Sequence, residues 1–409
     1  MKLHPFRALR PVQPERVVSP PYDVIDTEEA LALAGANAAS FLHVIRPEIG
    51  LAPGVDIHDA SVYAAGAAAL ARFVEEGILT QDETDAVWLY RLTDGEHQQT
   101  GFVGCSEVAD YNSGAIKKHE YTRPDKEDDR TRHVATMEAQ AGPVFLACRG
   151  NAGLADIQGR ITAQTPDVSV TTSHDDVRHE LWAIRDADTL ATVARAFAQV
   201  EAFYIADGHH RAASAARVAE QWSSRGPGPW DRFLTVVFPA NQLKILDYNR
   251  VITGLNGHDP EAFLAAIGTH FSVSTPHNLD ACRPAFRHQF GMYLDGAWRR
   301  LILRDDTVDE HDAVARLDVA VLQNLVLTPL LGIEDPRTDT RISFVGGRRG
   351  LETLAERVDA NGTGVAFAMF PTSTSELFAV ADADAVMPPK STWFEPKLAS
   401  GLFTHSLKA

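Results

Sequence analysis

A chain of 409 residues, 45% of them hydrophobic, holds ample apolar material for a folded core and is longer than one core usually serves, so two or three lobes are expected. A formal net charge of −17 argues against a broad, nonspecific nucleic-acid surface. Three scattered cysteines (Cys105, Cys148, Cys282) make neither a disulfide framework nor a paired zinc motif. No segment is apolar enough over sufficient length to span a bilayer, and the N-terminus lacks a secretory apolar stretch, so a cytoplasmic protein is expected.

In chain order, Pro5, Pro11, Pro14, Pro20 and Pro21 make the first segment extended or looped, because proline fixes φ and removes a donor. Asp26-Thr27-Glu28-Glu29 reads as a helix start with acids in the first turn. An alanine-rich helix is expected over 59–76, with Val62, Leu70 and Phe73 on one face. Residues 86–108 read as a hairpin turning at Asp94-Gly95, and 142–148 as a short apolar strand. A second hairpin is expected over 168–184 around His174-Asp175-Asp176, then an amphipathic helix over 187–199. A strand over 202–206 runs into a helix over 212–222. Strands are expected at 233–238 and 243–252. The pattern then restarts with a helix at 260–267, an extended run at 271–274 and a hairpin over 292–303. A strongly apolar helix over 317–331, strands at 342–345 and 365–370, a helix at 351–358 and a last helix from Ser375-Glu376 complete the chain. Helices and hairpins interleave without a regular βαβ repeat, which favours α+β. The boundary is expected near residue 255, giving regions 1–255 and 256–409.

The densest chemical signal is Asp207-Gly208-His209-His210-Arg211, between the end of a strand and the start of a helix. Free N–H groups and the macrodipole there favour anions. Gly208 allows a tight turn or close ligand approach, and Arg211 suits bidentate phosphate contacts. Asp207 suits a metal ion, a substrate proton or the orientation of a histidine. The bland alternative is an N-capping aspartate beside structurally satisfied histidines.

The second signal is the charged run from Lys117 to His133. It is either a solvated loop and exposed helix start or a flap folded over a site. In the latter case Glu120 is a candidate general base, and Lys126, Arg130, Arg132 and His133 are candidate phosphate ligands. Pro20-Pro21 forms a rigid turn that either presents Tyr22 and Asp23 to a pocket or is purely structural. The tail from Met387 to Lys397, with prolines, aromatics, Lys390 and Lys397, reads as a packed tail, a pocket closure or a subunit contact. The glycine–arginine run Gly346-Gly347-Arg348-Arg349 is a weaker candidate for an anion. No Walker phosphate loop, Gly-x-Ser-x-Gly elbow or His-Glu-x-x-His zinc signature occurs.

Over nearly its whole length the chain resembles the bacterial domain-of-unknown-function family numbered 1015. The resemblance rests on Ser19-Pro20-Pro21-Tyr22-Asp23-Val24-Ile25, Lys118-His119-Glu120, Arg123-Pro124-Asp125-Lys126, the segment from Ala206 to Arg211, and Met387-Pro388-Pro389-Lys390-Ser391-Thr392. Asp207-Gly208-His209-His210-Arg211 is in turn similar to the phosphate-binding motif of the ParB/sulfiredoxin-like superfamily. Sulfiredoxins carry a cysteine where His209 stands, and the Gly-Glu-Arg-Arg motif and helix-turn-helix of ParB proteins do not occur here. The motif lies nearer to that of nucleotide-dependent free-serine kinases, whose upstream glutamate is the base.

The resemblance implies an α+β protein with a ParB-like catalytic lobe that transfers a phosphoryl group to a small hydroxyl acceptor, free L-serine first. Glu120 would be the base, with Asp207 the lesser candidate. Gly208, His209, His210 and Arg211 would cradle the phosphoryl group. His119, Arg123, Lys126, Arg132, His133, Tyr22 and Asp23 would hold substrate and donor. Mg²⁺ would bridge the phosphates of ATP, ADP or pyrophosphate. The expected partners are small molecules and a second copy of the chain, not nucleic acid or membrane. The alternatives are a nucleotide switch or hydrolase and a non-enzymatic phosphometabolite-binding protein.

Overall fold

The computed structural model describes residues 1–304 and 308–408. The chain is α+β, and it forms two compact units: Met1–Leu243 together with Pro396–Ala409, and Lys244–Glu395. The expected boundary near residue 255 falls inside the second unit. The end of the chain returns to the first.

The first unit is built on an eight-stranded mixed sheet. Its order is Ile116–Lys117, Phe203–Asp207, Val144–Cys148, Arg232–Pro239, His97–Glu107, Val87–Asp94, Arg178–Ile184, Val168–Thr171. Both expected hairpins form, because strand-forming runs flank turn residues in each. One side chain of every two along these strands joins a core of Leu89, Phe102, Leu146, Phe203 and Ile205. The helices Ala152–Thr162, Ala187–Ala198 and His209–Gln221 complete that core through Leu154, Phe197 and Val218. Phe197 meets Phe102 and Phe203 edge-to-face at 5.2 and 5.7 Å, a geometry aromatic quadrupoles favour. Trp88 and Tyr90 carry Phe403 of the returning segment, at 5.7 and 6.3 Å. A second core, including Phe41, Leu42, Phe73 and Met137, joins the helices Leu42–Ile45, Ala60–Glu75 and Pro124–Met137.

Helix starts follow local chemistry. Asp26 and Glu29 form a reciprocal capping box on Thr27–Ala34. Val62, Leu70 and Phe73 are buried on the expected alanine-rich helix. Several helices do not stand out in the sequence pattern, among them the short Pro14–Val17 in the segment expected to be extended or looped, and two longer ones. Ala152–Thr162 is capped by Asn151, and Pro124–Met137 is hidden by its charge density although Asp129, Thr131, His133 and Met137 are buried along it.

The second unit carries a six-stranded antiparallel sheet, ordered Phe271–Ser274, Ala297–Leu303, Gln289–Leu294, Gly364–Ala368, Tyr248–Thr253, Ile342–Gly346. Two expectations are corrected here. The strand expected over 243–252 is two strands, Lys244–Leu246 and Tyr248–Thr253. They join different sheets, and Asp247 at the break accepts a hydrogen bond from the Gly347 N–H. The apolar helix expected over 317–331 is α-helical only from Asp318 to Leu322 and then widens into a π-turn over Gln323–Leu327. Pro329 lies just beyond and has no N–H with which to continue the ladder.

Candidate functional site

The strand Phe203–Asp207 is flanked by Val144–Cys148 and by Ile116–Lys117 at the sheet edge. Its pairing with Ile116–Lys117 is parallel, with Tyr204 opposite Lys117. Two chains leaving a parallel pair emerge side by side, so Lys118-His119-Glu120 runs beside Asp207-Gly208-His209. On the other side the register slips between Ile205 and Asp207. Such a bulge re-aims the side chains beyond it.

Gly208 turns the chain at φ 93°, a left-handed conformation costly to any residue with a Cβ. A Cβ there would also meet the Arg211 guanidinium at 3.0 Å. The helix therefore starts at His209 rather than near Ala212 as expected, and its first hydrogen bond runs from Ala212 N–H to the Gly208 carbonyl. His209, His210 and Arg211 occupy the first turn, whose N–H groups have no intrahelical acceptor.

The histidines are distinct. His210 Nε2 accepts the Arg123 N–H at 3.1 Å, so it is unprotonated and pins the loop. Burial lowers its pKa. His209 is buried, and its Nδ1 lies 3.7 Å from Glu120 Oε2. Its Nε2 is buried with no protein partner. Burial, aided by His119, holds the His209 pKa well below the ordinary histidine value. His119 packs edge-to-face on His209 at 4.6 Å, and neither of its ring nitrogens finds a partner. Burial lowers the His119 pKa to about 4. A neutral imidazole carries one N–H, so each ring keeps unmet hydrogen-bonding capacity in a dry place.

Asp207 is ion-paired with Lys397 at 3.2 Å and lies 3.6 Å from the Arg211 guanidinium. Burial opposes its ionisation, but Lys397 and Arg211 prevail and hold its pKa well below the ordinary range. So firmly ionised a carboxylate is a poor general base. Arg211 is turned inward. It donates to the Pro143 carbonyl and to Asp23 Oδ2 at 3.3 Å, and its Nε is buried without a partner. Asp23 thus reaches the site through Arg211. Tyr22 lies under the Arg130 guanidinium at 4.3 Å, and burial raises its phenol pKa.

Glu120 is about half exposed beside His209. Arg123 pairs with Asp125 and meets the motif through its backbone. Farther along, the run leaves the site. Lys126 is half-buried in the first helical turn and Arg132 is exposed. The reading of His133 as a donor ligand is corrected. It is buried, its Nε2 is bonded to the Val44 carbonyl at 2.9 Å, and it packs against Gly66. Arg130 is likewise engaged, by Asp129 at 2.6 Å.

The sequence marks the tail without singling out Lys397, and nothing in it points to the Pro143 carbonyl. The lysine is visible only as one of two in the Met387–Lys397 segment. The other, Lys390, lies in the second unit, where its carbonyl accepts from Arg250 at 3.0 Å. Arg348 of the glycine–arginine run pairs with Glu395 at 3.4 Å.

A cavity of about 40 Å³ adjoins Arg211, Tyr22, Arg130, Gly142 and Ser400, room for little more than a water. A wider cleft of about 840 Å³ runs along another flank of the His209–Gln221 helix. Glu107, Glu127, Glu220 and Asp231 line it beside Arg217 and Arg232, a poor setting for phosphates. The motif, rather than this cleft, is the candidate site. Among the described residues no cluster of three or more His, Cys, Asp or Glu is arranged to hold a metal, and no helix is long and apolar enough to cross a membrane.

Solved structures with some likeness include a free serine kinase in complex with AMP, 12% identical with a TM-score of 0.35 over 73% of this chain and 92% of that one. SbnI with a C-terminal truncation, from Staphylococcus aureus, is 12% identical with a TM-score of 0.38 over 73% and 85%. A conserved hypothetical protein from Pyrococcus furiosus is 14% identical with a TM-score of 0.34 over 73% and 95%. Likeness at this level transfers no ligand or reaction. No curated protein matches the sequence. The family described as "Protein of unknown function (DUF1015)" matches residues 3–320, a span that holds the expected motifs up to Arg211 but not Met387 to Thr392, and the chain belongs to it.

Proposed function

We propose that the chain is a phosphoryl-transfer enzyme that moves a phosphoryl group from a nucleotide or pyrophosphate to a small hydroxyl acceptor, with free L-serine the first candidate. The observation that carries this reading is the helix start at His209. There, first-turn backbone N–H groups without an intrahelical acceptor stand beside His209, whose Nε2 is orphaned and whose Nδ1 lies 3.7 Å from the half-exposed carboxylate of Glu120, with the orphaned His119 ring packed against it.

In this reading Glu120 takes the proton of the acceptor hydroxyl as its oxygen bonds to phosphorus. The donor's bridging oxygen leaves with the electron pair of the breaking P–O bond. Charge on the transferred phosphoryl oxygens meets the first-turn N–H groups. Before a donor binds, Asp207 holds Lys397 and Arg211 in place, and it does not move the proton. A Mg²⁺ ion carried in on the donor needs only one or two protein carboxylates. Asp207 and Asp23 fit that role when their ion pairs open, and the metal would neutralise phosphate charge. The free, buried cysteines suit a reducing cytoplasm.

Phosphorus NMR of the protein with Mg²⁺, L-serine and ATP, ADP or pyrophosphate in separate samples tests the proposal. A phosphoserine resonance is expected with one donor. Donor breakdown indifferent to serine would replace the kinase with a hydrolase, and binding without turnover would leave an anion-binding protein.

A further inference from the structure

We propose that Lys397 is a phosphate-binding residue of this site, brought in by the returning end of the chain and parked on Asp207 until a phosphorylated ligand arrives. The inference rests on the phosphoryl-transfer reading and adds a ligand-contacting residue to it.

The placement of Lys397 is fixed rather than incidental. Beyond it, Leu398, Ala399, Ser400, Leu402 and Phe403 are buried. Ser400 pairs with Ser19 through both backbone hydrogen bonds, at 2.9 and 3.1 Å, and Leu9 and Thr404 do the same at 3.0 Å. Ala399 N–H donates to Tyr90 Oη at 3.3 Å. The Ser19 bridge ties the segment to the turn that carries Tyr22 and Asp23, so the turn and Lys397 approach the motif as one framework.

The charge arrangement gives the lysine its role. Lys397 and Arg211 are two cations at a helix N-terminus, each occupied by a carboxylate of the same site, Asp207 or Asp23. The side chain of Lys397 is only 18% exposed, so its ammonium has lost much of its water. A second cation at the mouth of an anion site matches a ligand with more charge than a carboxylate. A phosphate group carries nearly two charges near neutral pH and offers several acceptor oxygens. It would draw the Lys397 ammonium from Asp207 while its other oxygens meet the first-turn N–H groups and the buried donors of His209 and His119. No covalent bond changes; ion pairs are exchanged.

Pyrophosphate and ADP binding, measured by calorimetry on the full chain, tests this without requiring turnover. Lys397→Met should weaken binding by about tenfold to a hundredfold, the worth of one charge-assisted hydrogen bond, and Lys397→Arg should recover most of it. A Lys397→Met protein that binds like the parent overturns the role of Lys397 and leaves the kinase reading standing. A parent protein that binds neither ligand overturns both. Should Lys397→Met fail to fold, the ¹⁵N resonance of the Lys397 ammonium in the parent decides. It must shift on addition of pyrophosphate, and an unmoved resonance overturns the proposal.

Discussion

His119 and His133 stand in one charged run, both are buried, and burial lowers the pKa of both, to about 4 and about 3. They differ in what their nitrogens meet. His133 bonds the Val44 carbonyl and packs against Gly66, while both nitrogens of His119 lack a partner. The first half of the run, through Arg123, leaves the parallel strand pair and lies against the motif. The second half coils into a helix whose buried face joins the Ala60–Glu75 helix through the Tyr63–Asp129 hydrogen bond and the His209–Gln221 helix through the Glu127–Arg217 ion pair. A buried histidine with its hydrogen bonds met belongs to the packing. One with its capacity unmet, beside a helix start, calls for another explanation, which the proposed function supplies as a ligand.

The comparison breaks most sharply at Glu120. Glu120→Gln should cost about 10²–10⁴-fold in kcat while the protein stays folded, the usual loss on removing a general base. Steady-state kinetics with the donor identified by phosphorus NMR would measure it, and a kcat near the parent value would detach the loop half from the chemistry. In the helical half, His133→Ala should instead cost stability, roughly 2–4 kcal/mol for a lost buried hydrogen bond and the space left behind. A lowered denaturation midpoint with unchanged kcat in the folded protein is the expected result. A collapse of kcat without loss of stability would return His133 to the site.

The smallest effect is acid sensitivity, and its sign follows from linkage. Both histidines are neutral in the folded chain down to about pH 4 or 3, whereas in the unfolded chain they take up protons below 6.5. Between those values the unfolded state binds more protons, so stability is full above pH 6.5 and falls as pH drops. Each histidine should contribute a loss of about 2 kcal/mol at pH 5. Urea denaturation at pH 7 and pH 5 measures the total, to which the other buried histidines of lowered pKa, His179 and His209 among them, add with the same sign. A His133→Gln protein should lose only its own share of the slope, and a slope that does not change would show that His133 is not buried as a neutral ring.

Much of the fold was legible because its signals are local. The hairpins at Asp94-Gly95 and around His174, the capping box at Asp26 and the helix bearing Val62, Leu70 and Phe73 depend on turn chemistry and periodicity within a few residues. The candidate site was legible in part for the same reason: a strand, a glycine, basic residues and a helix former in succession describe a helix N-terminus wherever it folds. The two strands split at Asp247 were less legible, since an apolar run does not say which sheet each half will join.

The sequence alone determined the α+β class, the family and the placement of the Asp207–Arg211 motif between a strand and a helix, each a matter of neighbouring residues or of motif order, while the helix itself begins at His209, three residues before the start expected from its alanine run. Tertiary structure alone decided that Glu120 reaches His209, that Arg211 turns inward to Pro143 and Asp23, and that Lys397 closes on Asp207. Those contacts join segments far apart in the chain. They exist only because a parallel strand pair and a buried return segment hold the groups within ion-pair distance, a geometry that periodicity and propensity do not encode.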